Sequence, residues 1–206
     1  SSGYLRIIQG FSLVCLGIAV RYIFLIRVEA LPVLALITAL AGLYALPLLP
    51  GRKNFRSLHG VKIYVVALCW SSLTVLFPLV HSKIPLSGDG VVAFVRRFLI
   101  VLVLTLPFDI RDLKYDALRL GTIPQQIGVK RTKRLGMLLL LLFYFLLFLR
   151  TEYTVEMVVV DGIIVLVTGF LLFFAKKDQS VYYSSVYVES VPIVWLLLLL
   201  LAERLF

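Results

Sequence analysis

Three aspartates stand close together in the run Pro107-Phe108-Asp109-Ile110-Arg111-Asp112-Leu113-Lys114-Tyr115-Asp116. On a helix, at about 100° per residue, Asp112 lies about 300° and Asp116 about 340° round from Asp109, so the three carboxylates share an arc of about 60°. Like charges on one helical face repel, more so beside a membrane, and something must neutralise them. A divalent cation is one candidate. Three oxygen donors at a membrane surface suit Mg2+, which keeps several waters and commonly shares its shell with substrate phosphates. The other candidate is ion pairing with Arg111, Lys114 and Arg119 at an exposed helix end. The surroundings are strongly basic, with seven cations between Arg111 and Arg134 and three more, Arg52, Lys53 and Arg56, further upstream. Carboxylates, a metal and flanking cations together describe a site for a diphosphate, and an apolar tail on that diphosphate would lie between helices. Prenyl diphosphate chemistry fits this combination.

The elements that position these residues are apolar spans. The 206-residue chain is 61% hydrophobic and only 16% charged, with a mean hydropathy of +1.03, whereas soluble domains carry roughly a quarter charged residues. The apolar residues fall in blocks of about 15 to 20, the length scale of a bilayer crossing. A soluble enzyme, a disordered chain and a secreted disulfide scaffold are excluded. Seven spans are expected near 8–27, 31–49, 61–80, 91–109, 135–150, 155–175 and 187–205. They are read as helices, because lipid offers no partner to an open backbone group. The fold class is an all-α multipass transmembrane helix bundle, a single domain over 1–206.

The net charge of +10 sits between the spans and marks topology rather than nucleic-acid binding. Thirteen cations, including those at 52–56, 111–134 and 176–177, fall on one side, and Arg27, Lys83, Arg150 and Arg204 on the other. By the positive-inside rule the basic segments 51–60, 111–134 and 176–186 are cytoplasmic loops. Arg21, Arg96 and Arg97 lie inside spans, where snorkelling or pairing with an acid is expected. A transporter is disfavoured, since neither broken spans nor mid-membrane charges stand out. Cys15 and Cys69, inside apolar runs, read as small buried hydrophobes.

The run Asp109 to Asp116, followed by Gly121-Thr122-Ile123-Pro124-Gln125-Gln126-Ile127-Gly128, resembles the second aspartate-rich motif of the UbiA-like membrane prenyltransferases. Upstream, Tyr44, the pair Arg52-Lys53 and Gly60 resemble that superfamily's Tyr–Lys/Arg element, at a longer spacing. The resemblance implies a nine-helix fold of which this chain holds helices three to nine, with the first aspartate-rich motif absent and the N-terminal part incomplete. It also implies transfer of an isoprenoid chain from a prenyl diphosphate to a lipophilic acceptor. Asp109, Asp112 and Asp116 would hold one Mg2+ and help ionise the diphosphate, and Arg52, Lys53, Lys114, Arg119 and Tyr44 would contact substrate. Each has a plainer reading: the cations as membrane-surface anchors, Tyr44 as an interfacial aromatic. With half of the metal clamp missing, the chain alone is expected to be inactive. The alternative function is a non-catalytic membrane protein or complex subunit that binds isoprenoid or lipid diphosphates.

Overall fold

The computed structural model describes residues 2–46, 60–114, 121–180 and 182–205. Among them there is no strand, and seven helical segments are long and apolar enough to cross a membrane. Helix α1 is Ser2–Ile23, and a 3-10 turn, Val28–Ala30, leads into α2, Leu31–Ala45. The third span joins α3, Lys62–Ser71, to α4, Phe77–His81, through a π-helical segment, Ser72–Leu76. Helix α5 is Gly88–Asp112, and the short α6, Ile123–Ile127, precedes α7, Val129–Phe145. Helix α8 is Val155–Phe174, and a second π-helical segment, Tyr183–Val188, runs into α9, Glu189–Leu205.

Helix α5 lies at the centre. It packs against α3, α7 and α8, and its buried residues Leu99, Ile100, Val103, Leu106 and Ile110 recur at helical spacing along the contact face. Leu140 and Phe143 of α7, Ile164 and Leu172 of α8, and Val191 and Trp195 of α9 complete this core with Ile63 and Ala67 of α3. Helix α1 contributes nothing to it. All its described side chains are exposed, and Phe11, Leu13 and Leu16 are left to whatever surrounds the bundle, which for a span is lipid. Cys15 is accordingly exposed and Cys69 half-buried, both free, rather than buried as expected. An apolar residue in a span has lipid as an equally good solvent, so apolarity alone does not imply burial.

The π-helical segments have a common cause. Pro78 and Pro192 lack an N–H, and a proline ring inside an α-helix clashes with the carbonyl four residues back. That residue is Thr74 for the first and Val188 for the second, and both lie in the π-helical segments. The wider turn makes room for the ring without breaking the span. Pro107, by contrast, sits inside an uninterrupted α5.

The basic segments are far less loop-like than expected. Arg111 and Asp112 close α5, and Lys130, Arg131, Lys133 and Arg134 lie in the opening turns of α7. Residues 183–186 belong to the second π-helical segment. The reason is local. The Thr122 N–H donates to the Gln125 side chain at 3.2 Å and Pro124 occupies the first turn, which starts α6. Gly128, at φ +79°, then stops α6 and caps α7 in a single residue. No breaker follows to keep the cations out of the helix. Lys133 also donates to the Phe173 carbonyl at the C-terminal end of α8, where a cation is electrostatically favoured.

The α5–α7–α8 crossing depends on a small residue. A Cβ at Gly136 would overlap the ends of Leu172 and Leu106, both of which are fully buried and have little room to yield. Gly136→Val is expected to cost about 1–3 kcal/mol and to lower the melting temperature of the detergent-solubilised protein. Gly10→Val on α1, where nothing lies within 4 Å of the new carbon, is expected to leave it within a degree or so, the effect of about 0.5 kcal/mol or less. Equal losses from the two variants would refute the assigned crossing.

Candidate functional site at the basic end of the bundle

Asp109 is 1% exposed near the end of α5, and the ammonium of Lys62, 27% exposed at the first position of α3, lies 3.3 Å from its Oδ1. Burying a lone carboxylate costs several kcal/mol, and a paired cation at the rim of the bundle offsets that cost. Asp112, 24% exposed, accepts from Nε of Arg111 at 2.7 Å, and the Arg111 guanidinium lies 5.5 Å from the centre of the Phe108 ring.

Lys62 is delivered by a glycine. Gly60 turns the chain at φ +67°, and a Cβ there would stand 3.2 Å from the Gly121 carbonyl oxygen and 3.3 Å from the Gln126 amide. The exit of the basic 51–60 segment, Gly60, therefore lies against Gly121 two residues before α3 begins. Gly121 adopts φ +55°, and its carbonyl accepts from Gln126. Three separate stretches of sequence thus converge: the exit of the basic segment, the acidic end of α5 and the start of α6. A fourth closes over them, since the Gln179 side chain donates to the Pro107 carbonyl at 3.1 Å and to Ser184 Oγ at 2.7 Å.

Not every expected residue is part of this. Asp116, Arg52, Lys53 and Arg119 lie outside the described residues. The α-helix carrying the acidic motif ends at Asp112, so the shared helical arc holds for Asp109 and Asp112. Lys114 approaches Asp178 at 3.6 Å, a pair whose acid is 91% exposed and which adds little stability. Tyr44 is half-buried in the last turn of α2 and makes no hydrogen bond to another described residue. Lys62 was not singled out from the sequence. It stands at the head of an apolar run, and its partner is 47 positions away.

Among the described residues no group of three or more His, Cys, Asp or Glu converges. Mg2+ is commonly held by one or two carboxylates together with phosphate oxygens and waters, so Asp109 and Asp112 fit its chemistry. Both carboxylates carry a cation already, and any metal would compete with Lys62 and Arg111 for them.

A second polar cluster lies inside the spans. Arg96, on α5, donates from a terminal nitrogen to Asp161 of α8 and from Nε to the Phe143 carbonyl of α7 at 3.0 Å; both hydrogen bonds are buried. Its guanidinium stands 4.6 Å from the Phe143 ring centre. The expectation that a cation in a span pairs with an acid holds for Arg96. Its acid, Asp161, lies in a strongly apolar stretch that hides it in a hydropathy average.

No protein-family model matches the chain, and neither a curated protein nor a solved structure does. Fold and composition define the class on their own: an all-α, multipass integral membrane protein.

The Lys62–Asp109 pair makes a thermodynamic prediction. A double-mutant cycle with Lys62→Met and Asp109→Leu is expected to give a coupling of about 1–3 kcal/mol, less than a fully buried pair because Lys62 reaches solvent. Lys62→Met alone, which takes a cation away from a buried carboxylate, is expected to be more destabilising than the double variant. Strictly additive losses would show that the two side chains do not interact.

Proposed function

We propose that this protein is a UbiA-like membrane prenyltransferase, in which a prenyl diphosphate docks at the basic end of the bundle and its isoprenoid chain is transferred to a lipophilic acceptor. The observation that carries the reading is the convergence of Lys62, Asp109, Asp112 and the Gly121-Thr122 segment at one end of an apolar bundle. Such a place offers charge for a diphosphate and apolar helix faces for its tail. Lys62 and Arg111, with Arg52, Lys53, Lys114 and Arg119 from the surrounding segments, would bind the diphosphate. Asp109, Asp112 and Asp116 would hold Mg2+, which stabilises charge developing on a leaving diphosphate. The basic end would face the cytoplasm, in keeping with the positive-inside rule.

A second reading, a non-catalytic binder of isoprenoid or lipid diphosphates, is favoured by one observation. Asp109 and Asp112 are each paired with a cation of the chain itself, which leaves a stable binding scaffold without a metal.

Binding of farnesyl diphosphate to the purified protein, measured with and without Mg2+, tests the site. Asp112→Asn, at a partly exposed position that tolerates change, is expected to weaken Mg2+-dependent binding at least about tenfold, the loss of one charge-assisted contact. Unchanged affinity would sink the site assignment. Product formation from an added aromatic or isoprenoid acceptor separates enzyme from binder. Orientation is read by Asp178→Cys in a background with Cys15 and Cys69 replaced. Labelling by an impermeant maleimide only after lysis is expected, and labelling of intact cells would reverse the assigned topology.

A further inference from the structure

At the level of Arg96, the described spans hold two guanidinium groups and one carboxylate. Arg96 takes Asp161. Arg97, the next residue and half-buried, has no carboxylate within ion-pair distance among the described residues, and its guanidinium instead lies 4.4 Å from the centre of the Trp195 ring of α9. Trp195 is only 9% exposed, and its indole Nε1 is fully buried with no hydrogen-bond partner. Two donors, one of them charged, therefore sit together within the spans without an acceptor. A buried donor left unpaired is unfavourable, and so is a guanidinium within the spans that shares a neighbour's carboxylate only at a distance; one anionic oxygen group satisfies both.

We propose that Arg97 and Trp195 form a binding site for the anionic headgroup of an amphiphile, a carboxylate or a phosphate, that enters from the bilayer between α5 and α9. Helix α9 packs chiefly on α8, and the Trp195–Arg97 contact bridges it to α5. Arg97 as a residue is half-buried, so part of its side chain is accessible within the spans, where an amphiphile's chain would remain in lipid with only its headgroup turned inward. Helix side chains lean toward the N-terminus, so Arg97 leans toward the Gly88 end of α5, away from Asp109. Arg97 and Asp109 are about 18 Å apart along the helix. The site is thus separate from the proposed diphosphate site and stands whether or not that reading holds.

The protein has two tryptophans, and Trp70 is an exposed side chain on α3, so Trp70→Phe leaves Trp195 as the sole indole reporter. In nanodiscs of zwitterionic lipid, a fatty acid brominated on its chain is titrated against this protein at a pH where the acid is ionised. The matching brominated fatty alcohol and a brominated phosphatidic acid are titrated alongside. Saturable quenching of Trp195 by the acid, the phosphatidic acid or both, at concentrations at least about tenfold below the alcohol, is expected. The preferred headgroup tells a free carboxylate from a lipid phosphate. Arg97→Gln is expected to remove the advantage of the anion and Arg97→Lys to retain part of it, with helical content measured for both. Equal quenching by acid, phosphatidic acid and alcohol, or an anion preference unchanged in a folded Arg97→Gln, would overturn the proposal.

Discussion

A charge carried into an apolar bundle has to be neutralised where it lies, and this requirement fixes which helix is central. Helix α5 bears Arg96, Arg97 and Asp109, and the groups that contact these side chains come from other elements. Lys62 comes from α3, the Phe143 carbonyl from α7, Asp161 from α8 and the Trp195 ring from α9. The hydrophobic effect does little to choose one register over another in lipid, because lipid tails solvate leucine equally well. Polar contacts with a defined partner do choose. Those of α5 set its rotation toward α3 at one end and toward α7 and α8 further along.

Small residues and prolines then decide how closely and how straight the other spans run past it. Gly136 lets α7 approach Leu106 and Leu172, and Gly169 of α8 faces Met137 and Leu140 of α7 at ordinary contact distance. Pro78 and Pro192 would each break a span, but the wider turns before them preserve it. Lipid leaves no alternative, since an unpaired carbonyl within the membrane has no water to turn to. Among the described residues helix α1 makes no charge-bearing contact to α5, and its glycines, Gly10 and Gly17, meet no neighbour, in keeping with its place outside the core.

Much of this could be read from residue order alone, and the exceptions have a pattern. Span number and approximate limits follow from hydropathy, a local property summed over about 20 residues. The acidic face at Asp109 and Asp112 follows from helical periodicity, which is local too. Contacts that join distant positions were not legible. Lys62 meets Asp109 across 47 positions and Arg96 meets Asp161 across 65, and nothing in either neighbourhood names its partner. The basic stretch after Gly128 departs from the expected loop for a different reason. Charge suggested a loop, whereas Lys and Arg are good helix formers and only the glycine at the junction interrupts the chain. Of the expected arc of three aspartates, Asp109 and Asp112 lie on α5, which ends at Asp112, and Asp116 lies outside the described residues.

The ion pairs at the basic end bear on how such a site would work. A carboxylate cluster kept bare would repel itself and unravel the helix end, so a chain that awaits a ligand must hold its own counter-charges meanwhile. Lys62 and Arg111 fill that role for Asp109 and Asp112. Under the proposed function, the same two cations are the ones an arriving diphosphate would attract. Carboxylates released by them become available to a metal as the phosphates take the cations. Diphosphate and metal arriving together would change the net charge at the helix end far less than either alone, which a low-dielectric surrounding favours. Lys62 can take part because its ammonium is at the rim rather than sealed in, while Asp109 beneath it cannot move without taking α5 along. The division of labour between a mobile cation and a fixed acid follows from their burial.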